Sequence, residues 1–563
     1  MWIGKILLLL IITCLSACAT PQVKAQEAKP LPSKDAYYSF LLGYSAEKDG
    51  KWEDAVEHYR EALGHDPSSV YLKTEISFVL LRLGKVSEAL SSAEEIVKAD
   101  PEYVPALMLL GELYNSQKKP DQAIQMYRKA LAMEPDNREA ALFLSLLYAS
   151  RKEYDEAIAI LEKLAEESPD NIMAVYYLGS MLIEKGDADK AAKYFEMVLS
   201  RRPNFDAAYL NLGMILERKG KISEAADYYN KAIAVNPHNL QARERLGQIY
   251  FRQKDTGKAI EQYQEISTQA PVNIDVHMNL GILYFDDRQY DKAVEEFRIV
   301  LEAKPDNTSI RYYLAIALEE MDRNDQAILE FKKVIQVDPK HISAFLNLGL
   351  IYAKLNRDDE AISLYEEVLG FEKEKPEVYL YLSAVYLHKK NYQKAETVLK
   401  DALGSFPNND DLNFNLALMF EKTKRFDEMV ACLKKTIEIN PEHADALNYL
   451  GYSYADKGIN LEEAVALIKK ALELKPDSGY IMDSLGWVYY KQGKNSEALD
   501  LLLKAAQKVK DDPVVMEHIG DVYNSMGMKE KAREYWQKSV DSHAKSEEEG
   551  LKERVGGKLL NLK

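Results

Sequence analysis

Residues that build catalytic and metal centres are scarce in this chain. It has only three cysteines, Cys14, Cys18 and Cys432, and nine histidines among 563 residues. The histidines are scattered singly, and no His or Cys pair has the spacing of a zinc site. Glycine-rich phosphate loops and nucleophile elbows are also missing, as are the strand-rich segments that would hold them. These absences predict a protein that is not an enzyme and that uses no cofactor, metal or small-molecule substrate.

Basic residues are outnumbered as well. The chain has 73 Lys and Arg residues and 90 Asp and Glu residues, which gives a formal net charge of −17. This balance disfavours binding to nucleic acid or to anionic lipid surfaces. It favours basic partners, or it simply keeps a long chain soluble, which is the commoner reason for an acidic surplus. The composition points to protein partners rather than nucleic acid.

What the chain has in abundance is one repeated unit. Prolines recur every 34 residues over most of its length, and a fixed period of this size indicates one structural element copied many times. If each proline is numbered position 32, the first of fifteen copies begins at Ala36. Position 8 is then never larger than Ser, and position 20 is Ala in every copy except the one with Met429. The prolines on this register are Pro67, Pro101, Pro135, Pro169, Pro203, Pro237, Pro271, Pro305, Pro339, Pro407 and Pro441.

The positions within the unit predict two helices joined by a turn. A small residue on one helix facing a small residue on the next lets their axes approach closely, and aromatic residues at positions 11 and 24 fill the space beside that contact. Proline ends the second helix because its ring cannot continue the hydrogen-bond ladder. Glycine supplies the turn between the helices in several copies. These glycines are Gly84, Gly186, Gly220 and Gly493.

This pattern of a small residue, tyrosine, alanine, an aromatic residue and proline resembles the tetratricopeptide repeat. The resemblance implies an all-α fold, a right-handed superhelix (an α-solenoid) of about 15 helix-turn-helix repeats with a concave groove for protein partners. The unbroken register predicts one elongated body over residues 36–546 and a C-terminal capping tail over residues 547–563. Leu551, Val555 and Leu559 have helical spacing in that tail, which Gly556 and Gly557 are expected to interrupt.

The first residues carry a second signal. Lys5 precedes the apolar run Ile6–Ile12, which is too short to span a bilayer as a mature helix and is typical of a signal peptide. The sequence Leu15–Cys18 is similar to the bacterial lipobox, which implies removal of residues 1–17 and acylation of Cys18, for example with palmitate. An ordinary secretory signal with a chance cysteine is the alternative.

The resemblance to bacterial lipoproteins also implies a location. Ala19 and Thr20 follow Cys18 and lack the aspartate that retains lipoproteins in the inner membrane in the best-known family. A lipid anchor in the outer membrane of a Gram-negative bacterium, facing the periplasm, is therefore favoured. Residues 18–35 hold three prolines among Ala, Gln and Lys and predict a flexible tether. Cys432 would remain as the one thiol, so no intramolecular disulfide is expected, and we expect it to be a small apolar filler.

In the tetratricopeptide family, the first helix of each repeat supplies the concave face through positions 2, 5, 6, 9, 12 and 13. Here position 6 is Asn in every second copy from the sixth to the twelfth. A carboxamide both donates and accepts, so such a ladder can pair with the backbone of an extended peptide whatever its sequence. Arg245 stands between the first two and could receive a carboxylate. The alternatives are contacts between neighbouring helices and duplication of a two-repeat unit. The asparagines are Asn211, Asn279, Asn347 and Asn415.

Toward the C-terminus the same face becomes aromatic. Tyr449, Tyr452, Trp487 and Tyr490 occupy positions 6, 9, 9 and 12 of their copies. Buried aromatic side chains supply much of the energy of protein interfaces, often about 2 kcal/mol or more each. Packing within the core is the alternative, but the positions favour binding of a partner.

Two segments, Leu447–Tyr452 and Met482–Tyr490, are more specific than the general repeat. They resemble the C-terminal repeats of a group of Gram-negative outer-membrane repeat lipoproteins. That group includes the adaptor that binds a carboxyl-terminal processing protease and delivers peptidoglycan cross-link hydrolases to it, so the resemblance implies the same role here. Two alternatives stay open: an assembly or secretion lipoprotein for exopolysaccharide or pilus export, and a structural spacer without a groove ligand.

Overall fold

The computed structural model of the chain describes residues 34–542 and 550–562, and all regular secondary structure in these ranges is helical. The predicted signal peptide, Cys18 and residues 19–33 of the predicted tether lie outside them. The first helix begins at Lys34, so the last two residues of that predicted tether are helical. Among the helices of the described ranges, none is long and apolar enough to cross a membrane.

The helices belong to two compact units, which are divided in sequence between Asn273 and Ile274. The first unit contains seven helix pairs. These are α1 (Lys34–Lys48) with α2 (Trp52–His65), α3 (Val70–Arg82) with α4 (Val86–Ala99), α5 (Val104–Ser116) with α6 (Pro120–Met133), α7 (Arg138–Ser150) with α8 (Tyr154–Glu167), α9 (Ile172–Lys185) with α10 (Ala188–Arg201), α11 (Asp206–Arg218) with α12 (Ile222–Val235), and α13 (Leu240–Arg252) with α14 (Thr256–Gln269).

The second unit contains eight helix pairs and one further helix. These are α15 (Ile274–Asp286) with α16 (Tyr290–Ala303), α17 (Thr308–Glu320) with α18 (Asn324–Val337), α19 (Ile342–Lys354) with α20 (Asp358–Phe371), α21 (Pro376–His388) with α22 (Tyr392–Ser405), α23 (Asp410–Lys422) with α24 (Phe426–Ile439), α25 (Ala444–Lys457) with α26 (Leu461–Leu474), α27 (Gly479–Lys491) with α28 (Asn495–Lys508), α29 (Pro513–Ser525) with α30 (Lys529–Asp541), and the single helix α31 (Leu551–Asn561).

The observed pairs confirm the predicted all-α repeat fold, copy by copy. Within each unit a helix packs on the next helix along the chain. Many first helices begin after an Asn, Ser, Asp or His whose side chain accepts a hydrogen bond from a backbone N–H of the first turn, as Asn239 does from Ala242. Such a cap satisfies a donor that the helix itself leaves unpaired.

The turn between the two helices of a pair has the left-handed backbone that the glycines predict. Gly186 has φ of 93° and Gly220 has φ of 75°. Residues with a side chain take the same conformation in other copies, for example Lys254 with φ of 60°. Left-handed geometry places Cβ too close to the following carbonyl oxygen in an L-residue, so these copies carry local strain.

The small residue at position 8 makes room mainly for a ring. A Cβ atom added to Gly213 would lie 2.5 Å from Cε1 of Tyr229, and one added to Gly111 would lie 2.7 Å from Cζ of Tyr127. The sequence pattern predicts that the small residue at position 20 takes that space and that the ring lies beside it. The ring of position 24 in fact covers position 8 directly, and the position-20 alanines are completely buried around it.

The end of the chain differs from its sequence prediction in one respect. Helix α31 continues through Gly556 and Gly557, where the sequence predicts an interruption. It packs against α30 and buries Leu551 and Val555. Contacts with the preceding helix pair hold the two glycines in the helix despite their low helix propensity.

Candidate protein-interaction surface

Positions 2, 5, 6, 9, 12 and 13 of the first helices form what we call the first-helix face of each unit. Two of the four predicted ladder asparagines on this face are hydrogen-bonded to a neighbouring repeat through their side chains. Nδ2 of Asn211 donates to the hydroxyl of Tyr176 at 3.2 Å and to the carbonyl of Ala207 at 2.9 Å. Nδ2 of Asn347 donates to the hydroxyl of Tyr312 at 2.8 Å. In both cases the tyrosine belongs to the preceding repeat, so these asparagines follow the alternative of contacts between helices.

The other two asparagines keep more of their hydrogen-bonding capacity. Asn279 is half-buried, and its side chain makes no hydrogen bond with any residue of the described ranges. Asn415 is half-buried too, and its Nδ2 donates only to the carbonyl of Asp411, one turn earlier in its own helix, at 2.9 Å. Neither asparagine has a tyrosine partner in the preceding repeat. The residue 35 positions earlier is Glu244 for Asn279 and Leu380 for Asn415. The four asparagines thus divide into two kinds.

Arg245 forms a long ion pair with a carboxylate of its own chain. Its Nη1 lies 3.9 Å from Oε1 of Glu217, and Nη1 of Arg252 lies 3.8 Å from the same oxygen. Glu217 is further fixed by the hydroxyl of Tyr229, which donates to it at 2.7 Å. Arg245 is therefore already placed beside a carboxylate, with a side chain that is still about one-third exposed (37%).

Among the predicted aromatic residues, Trp487 is packed rather than presented. Its side chain is buried, and its ring stacks on His518 with centroids 3.9 Å apart and planes at 17°. Tyr490 contacts the same ring at 5.0 Å, and Nζ of Lys491 lies 4.8 Å from its centroid. Trp487 thus corresponds to the core-packing alternative, while Tyr452 and Tyr490 are half-buried beside it.

Tyr449 lies on α25, about one helical turn before Tyr452. Its ring meets Phe414 edge to face, with centroids 6.3 Å apart. Burial, together with the neighbouring Glu421 carboxylate, raises the pKa of the Tyr449 hydroxyl above its ordinary range. The hydroxyl therefore stays protonated and able to donate a hydrogen bond at any physiological pH.

A group of charged side chains that the repeat pattern does not predict lies at the C-terminal end of the second unit. Nδ1 of His518 is 2.9 Å from Oδ1 of Asp483, and both residues are buried. Burial by itself lowers the pKa of His518, but the adjacent Asp483 carboxylate outweighs it, so the pKa of His518 is raised. The imidazole that covers Trp487 therefore belongs to a buried ion pair.

The neighbouring carboxylates of α29 are bound by α31. Arg554 donates to both carboxylate oxygens of Glu517, from Nε at 2.8 Å and from Nη2 at 2.6 Å. Lys558 bridges Glu517 at 2.7 Å and Asp521 at 2.6 Å, and Nε1 of Trp536 donates to Asp521 at 2.9 Å. Burial raises the pKa of Glu517, but these two cations outweigh it and lower that pKa overall. We call Glu517, Asp521, Arg554 and Lys558 the ionic clasp.

The sequence contains one signal from which the clasp could be predicted. Glu517 and Asp521 occupy positions 5 and 9 of the last repeat, which hold Leu142 and Leu146 in the fourth copy and Leu346 and Leu350 in the tenth. Two carboxylates one helical turn apart at such positions need partners, because unpaired buried charges are costly.

The N-terminal end of the first unit exposes an aromatic patch. Tyr37, Tyr38 and Tyr44 are all largely exposed on α1, and Phe40 stacks between Tyr44 and Tyr59 with centroids 6.3 and 5.7 Å away. Burial in this region, together with the nearby Glu47 carboxylate, raises the pKa of Glu75 to about 7. This end of the first-helix face is therefore aromatic, and its Glu75 carboxyl group is mostly protonated at mildly acidic pH.

One group of possible metal ligands has a structural explanation. Ligand atoms of Asp410, Asp411 and His443 lie within 4.8 Å of one another. Asp410 accepts a hydrogen bond from Asn440 at 2.6 Å, and Nδ1 of His443 accepts one from the backbone N–H of Ala446, which caps α25. These contacts account for the arrangement.

Cys432 is a half-buried free thiol. Burial raises its pKa to about 11, so it is protonated at neutral pH and weakly nucleophilic.

Five models of protein families match the chain, and all describe repeats of one type. Three are general models named tetratricopeptide repeat. The others are the TPR domain of cytochrome c-type biogenesis protein H and the N-terminal TPR repeats region of Psidin. The matched residues are 95–209 for the cytochrome c-type biogenesis model, 282–402 for the Psidin model, and 24–70, 210–274, 410–443, 430–479 and 479–510 for the general models.

Solved structures also match. A crystal structure of MamA is 28% identical, covers 29% of this chain and 95% of its own, and has a TM-score of 0.28. The structure of Naa15/Naa10 bound to HypK-THB is 15% identical over 94% of this chain and 87% of its own, with a TM-score of 0.30. The pilF protein of Pseudomonas aeruginosa is 19% identical over 35% of this chain and 90% of its own, with a TM-score of 0.32. No curated protein matches the chain.

Proposed function

Because the chain is a tetratricopeptide-repeat protein, we propose that it is a non-catalytic scaffold that binds protein partners through its first-helix face. Proteins of this repeat type mediate protein–protein interactions. We further propose that acyl chains on Cys18 hold it in the outer membrane of a Gram-negative bacterium, on the periplasmic side. Two or three acyl chains would anchor the chain stably, at about 0.8 kcal/mol per buried CH₂ group, whereas one chain would not.

The observation that supports a binding face is the division among the four asparagines. Asn279 and Asn415 lie on first helices, and within the described part of the chain their side-chain amides make no hydrogen bond or only one to their own helix. A partly buried amide without hydrogen-bond partners destabilises the protein, by about 1–3 kcal/mol if it is fully desolvated. A peptide backbone supplies both the donor and the acceptor that the amide needs. Asn211 and Asn347 instead serve the stacking of repeats.

A site-specific crosslinking experiment tests this face. A photoreactive amino acid at position 279 or 415 of the full chain, in its own cells, should form covalent adducts with protein partners. Matched controls stand on exposed positions of second helices, at Glu295 in α16 and Asp427 in α24. Adducts from the first helices alone support the proposal. Equal adducts from the controls would place binding on the other face, and no adducts at any position would favour the structural spacer.

Substitution of the two kinds of asparagine gives a second test. Asn279→Ala and Asn415→Ala should each weaken the binding of a captured partner by about 0.5–1.5 kcal/mol, similarly for different partners. Asn211→Ala and Asn347→Ala should lower stability by about 1 kcal/mol through the lost tyrosine contact. Calorimetry and thermal unfolding separate the two effects. If Asn211→Ala and Asn347→Ala weakened binding while Asn279→Ala and Asn415→Ala lowered stability, the division of the asparagines into two kinds would be wrong.

At a finer level, we propose that the protein delivers clients to a periplasmic carboxyl-terminal processing protease that acts on cell-wall hydrolases. The support is the resemblance of Leu447–Tyr452 and Met482–Tyr490 to the repeats of such an adaptor. Many residues of these segments, including Leu450, Gly451 and Leu485, are buried and serve packing. A deletion strain should accumulate cross-link hydrolases, and the purified chain should accelerate their cleavage. Unchanged hydrolase levels and cleavage rates would remove this role and leave the scaffold.

A further inference from the structure

Helix α31 is held on the last repeat by ion pairs as well as by apolar packing. Within its 11 residues, only Leu551 and Val555 are fully buried. The ionic clasp, in contrast, places two cations on two carboxylates that are only 2% and 8% exposed, Glu517 and Asp521. Ion pairs of this kind require matched partners, because a carboxylate buried without its cation is strongly unfavourable.

The helix is also a poor helix former. Gly556 and Gly557 stand in its middle, where glycine is the least favourable residue apart from proline. Packing among the described residues does not require them, since a Cβ atom added at either position would meet none of their atoms within 4 Å. Alanine would fit at both positions and strengthen the helix. The sequence of α31 therefore leaves the helix weaker than its packing requires.

The surface under α31 selects for a particular kind of segment. The bidentate contact of Arg554 with Glu517 fixes one cation, and the Lys558 bridge to Asp521 fixes a second one turn later. Leu551, Val555 and Leu559 add an apolar stripe of the same spacing, and Trp536 holds Asp521 in place. A ligand for this surface is an amphipathic helix with basic residues four apart beside aliphatic residues four apart.

We propose that the face of α29 bearing Glu517 and Asp521 is a binding site for a basic amphipathic helix of a partner protein, and that α31 occupies it until the partner displaces it. The proposal deepens the proposed scaffold function by naming one site and its ligand class, and it lies apart from the asparagines of the first-helix face. The net charge of −17 agrees with a basic partner.

The test uses a fluorescent peptide of residues 550–563 as the probe and the full chain, purified in detergent, as the receptor. Fluorescence anisotropy gives the affinity. R554A/K558A weakens the internal occupant and should bind the peptide at least about tenfold more tightly than the natural chain. G556A/G557A strengthens the occupant and should bind it more weakly than the natural chain. Circular dichroism and thermal unfolding confirm that each variant is folded.

Two controls identify the carboxylates as the recognising groups. Adding E517Q/D521N to R554A/K558A should abolish the gain in affinity, and a peptide with R554Q/K558Q should not bind. Binding should also weaken as salt rises, since ion pairs are screened. Equal binding by the natural chain and R554A/K558A, or undiminished binding after E517Q/D521N, would overturn the proposal.

A second copy of the chain could occupy this face instead of a partner protein. Sedimentation of the same purified proteins distinguishes the two occupants. Sedimentation of the natural chain should show a monomer at all concentrations if α31 stays within its own chain until a partner displaces it. A concentration-dependent dimer that R554A/K558A abolishes would show exchange of α31 between copies and would overturn a partner site. The crosslinking test at positions 279 and 415 is independent of either result.

Discussion

Gly213→Leu is the substitution whose consequence the structure defines most closely. A Cβ atom at position 213 would lie 2.5 Å from Cε1 and 2.7 Å from Cδ1 of Tyr229. The ring cannot easily move away, because it is completely buried and its hydroxyl donates to Glu217. Overpacking of a well-packed core typically costs about 1–3 kcal/mol, and the full leucine side chain should reach the upper end.

The effect should be local. Repeats touch only their neighbours, so stability is close to a sum of repeat and interface terms. A loss of about 3 kcal/mol corresponds to about 150-fold faster amide exchange from the opened region. Hydrogen exchange by mass spectrometry should show this gain over Asp206–Asn239, while Gly486–Ser525 remains as protected as in the natural chain.

A matched control lies in the same unit. Gly257 is exposed in the first turn of α14, and a Cβ atom there would meet nothing within 4 Å. Gly257→Leu should leave exchange unchanged or slow it, by up to about 1 kcal/mol of added helix stability. If Gly213→Leu behaved like this control, the packing account of position 8 would be wrong. A uniform loss of protection along the chain would contradict the nearest-neighbour account.

Three further outcomes are expected. Cys18→Ser should leave the protein unprocessed or free of the membrane in fractionation, and a processed mutant that still follows the outer membrane would refute lipidation. Glu75→Gln should have the same free energy of unfolding as the natural chain at pH 4 and a higher one at pH 8, by about 1–2 kcal/mol. The folded pKa of Glu75 is raised to about 7, so the unfolded chain ionises first and the natural chain loses stability between pH 4.5 and 7. A parallel pH dependence of the two free energies would refute this. Lys254→Gly should slow local exchange by about 1 kcal/mol by relieving left-handed strain, and faster exchange would contradict it.

Much of the candidate surface could be located but not interpreted from sequence. Asn211 and Asn279 occupy the same repeat position, yet one is bound by Tyr176 and the other has no partner in the described ranges. The difference depends on a residue 35 positions earlier, across a helix–helix contact. Trp487 likewise occupies a position typical of a binding face, but His518 of the next repeat covers it.

The sequence by itself determined the repeat. Its period, its small and aromatic positions, its prolines and its turn glycines fixed the helix pairs, because each of these depends on local geometry and on contacts with the adjacent copy. Only the tertiary structure decided which polar side chains remain available. It paired Asp483 with His518 and brought Arg554 and Lys558 onto Glu517 and Asp521. These pairs join residues 35–41 positions apart, and whether a charge is buried depends on the side chains that surround it after folding.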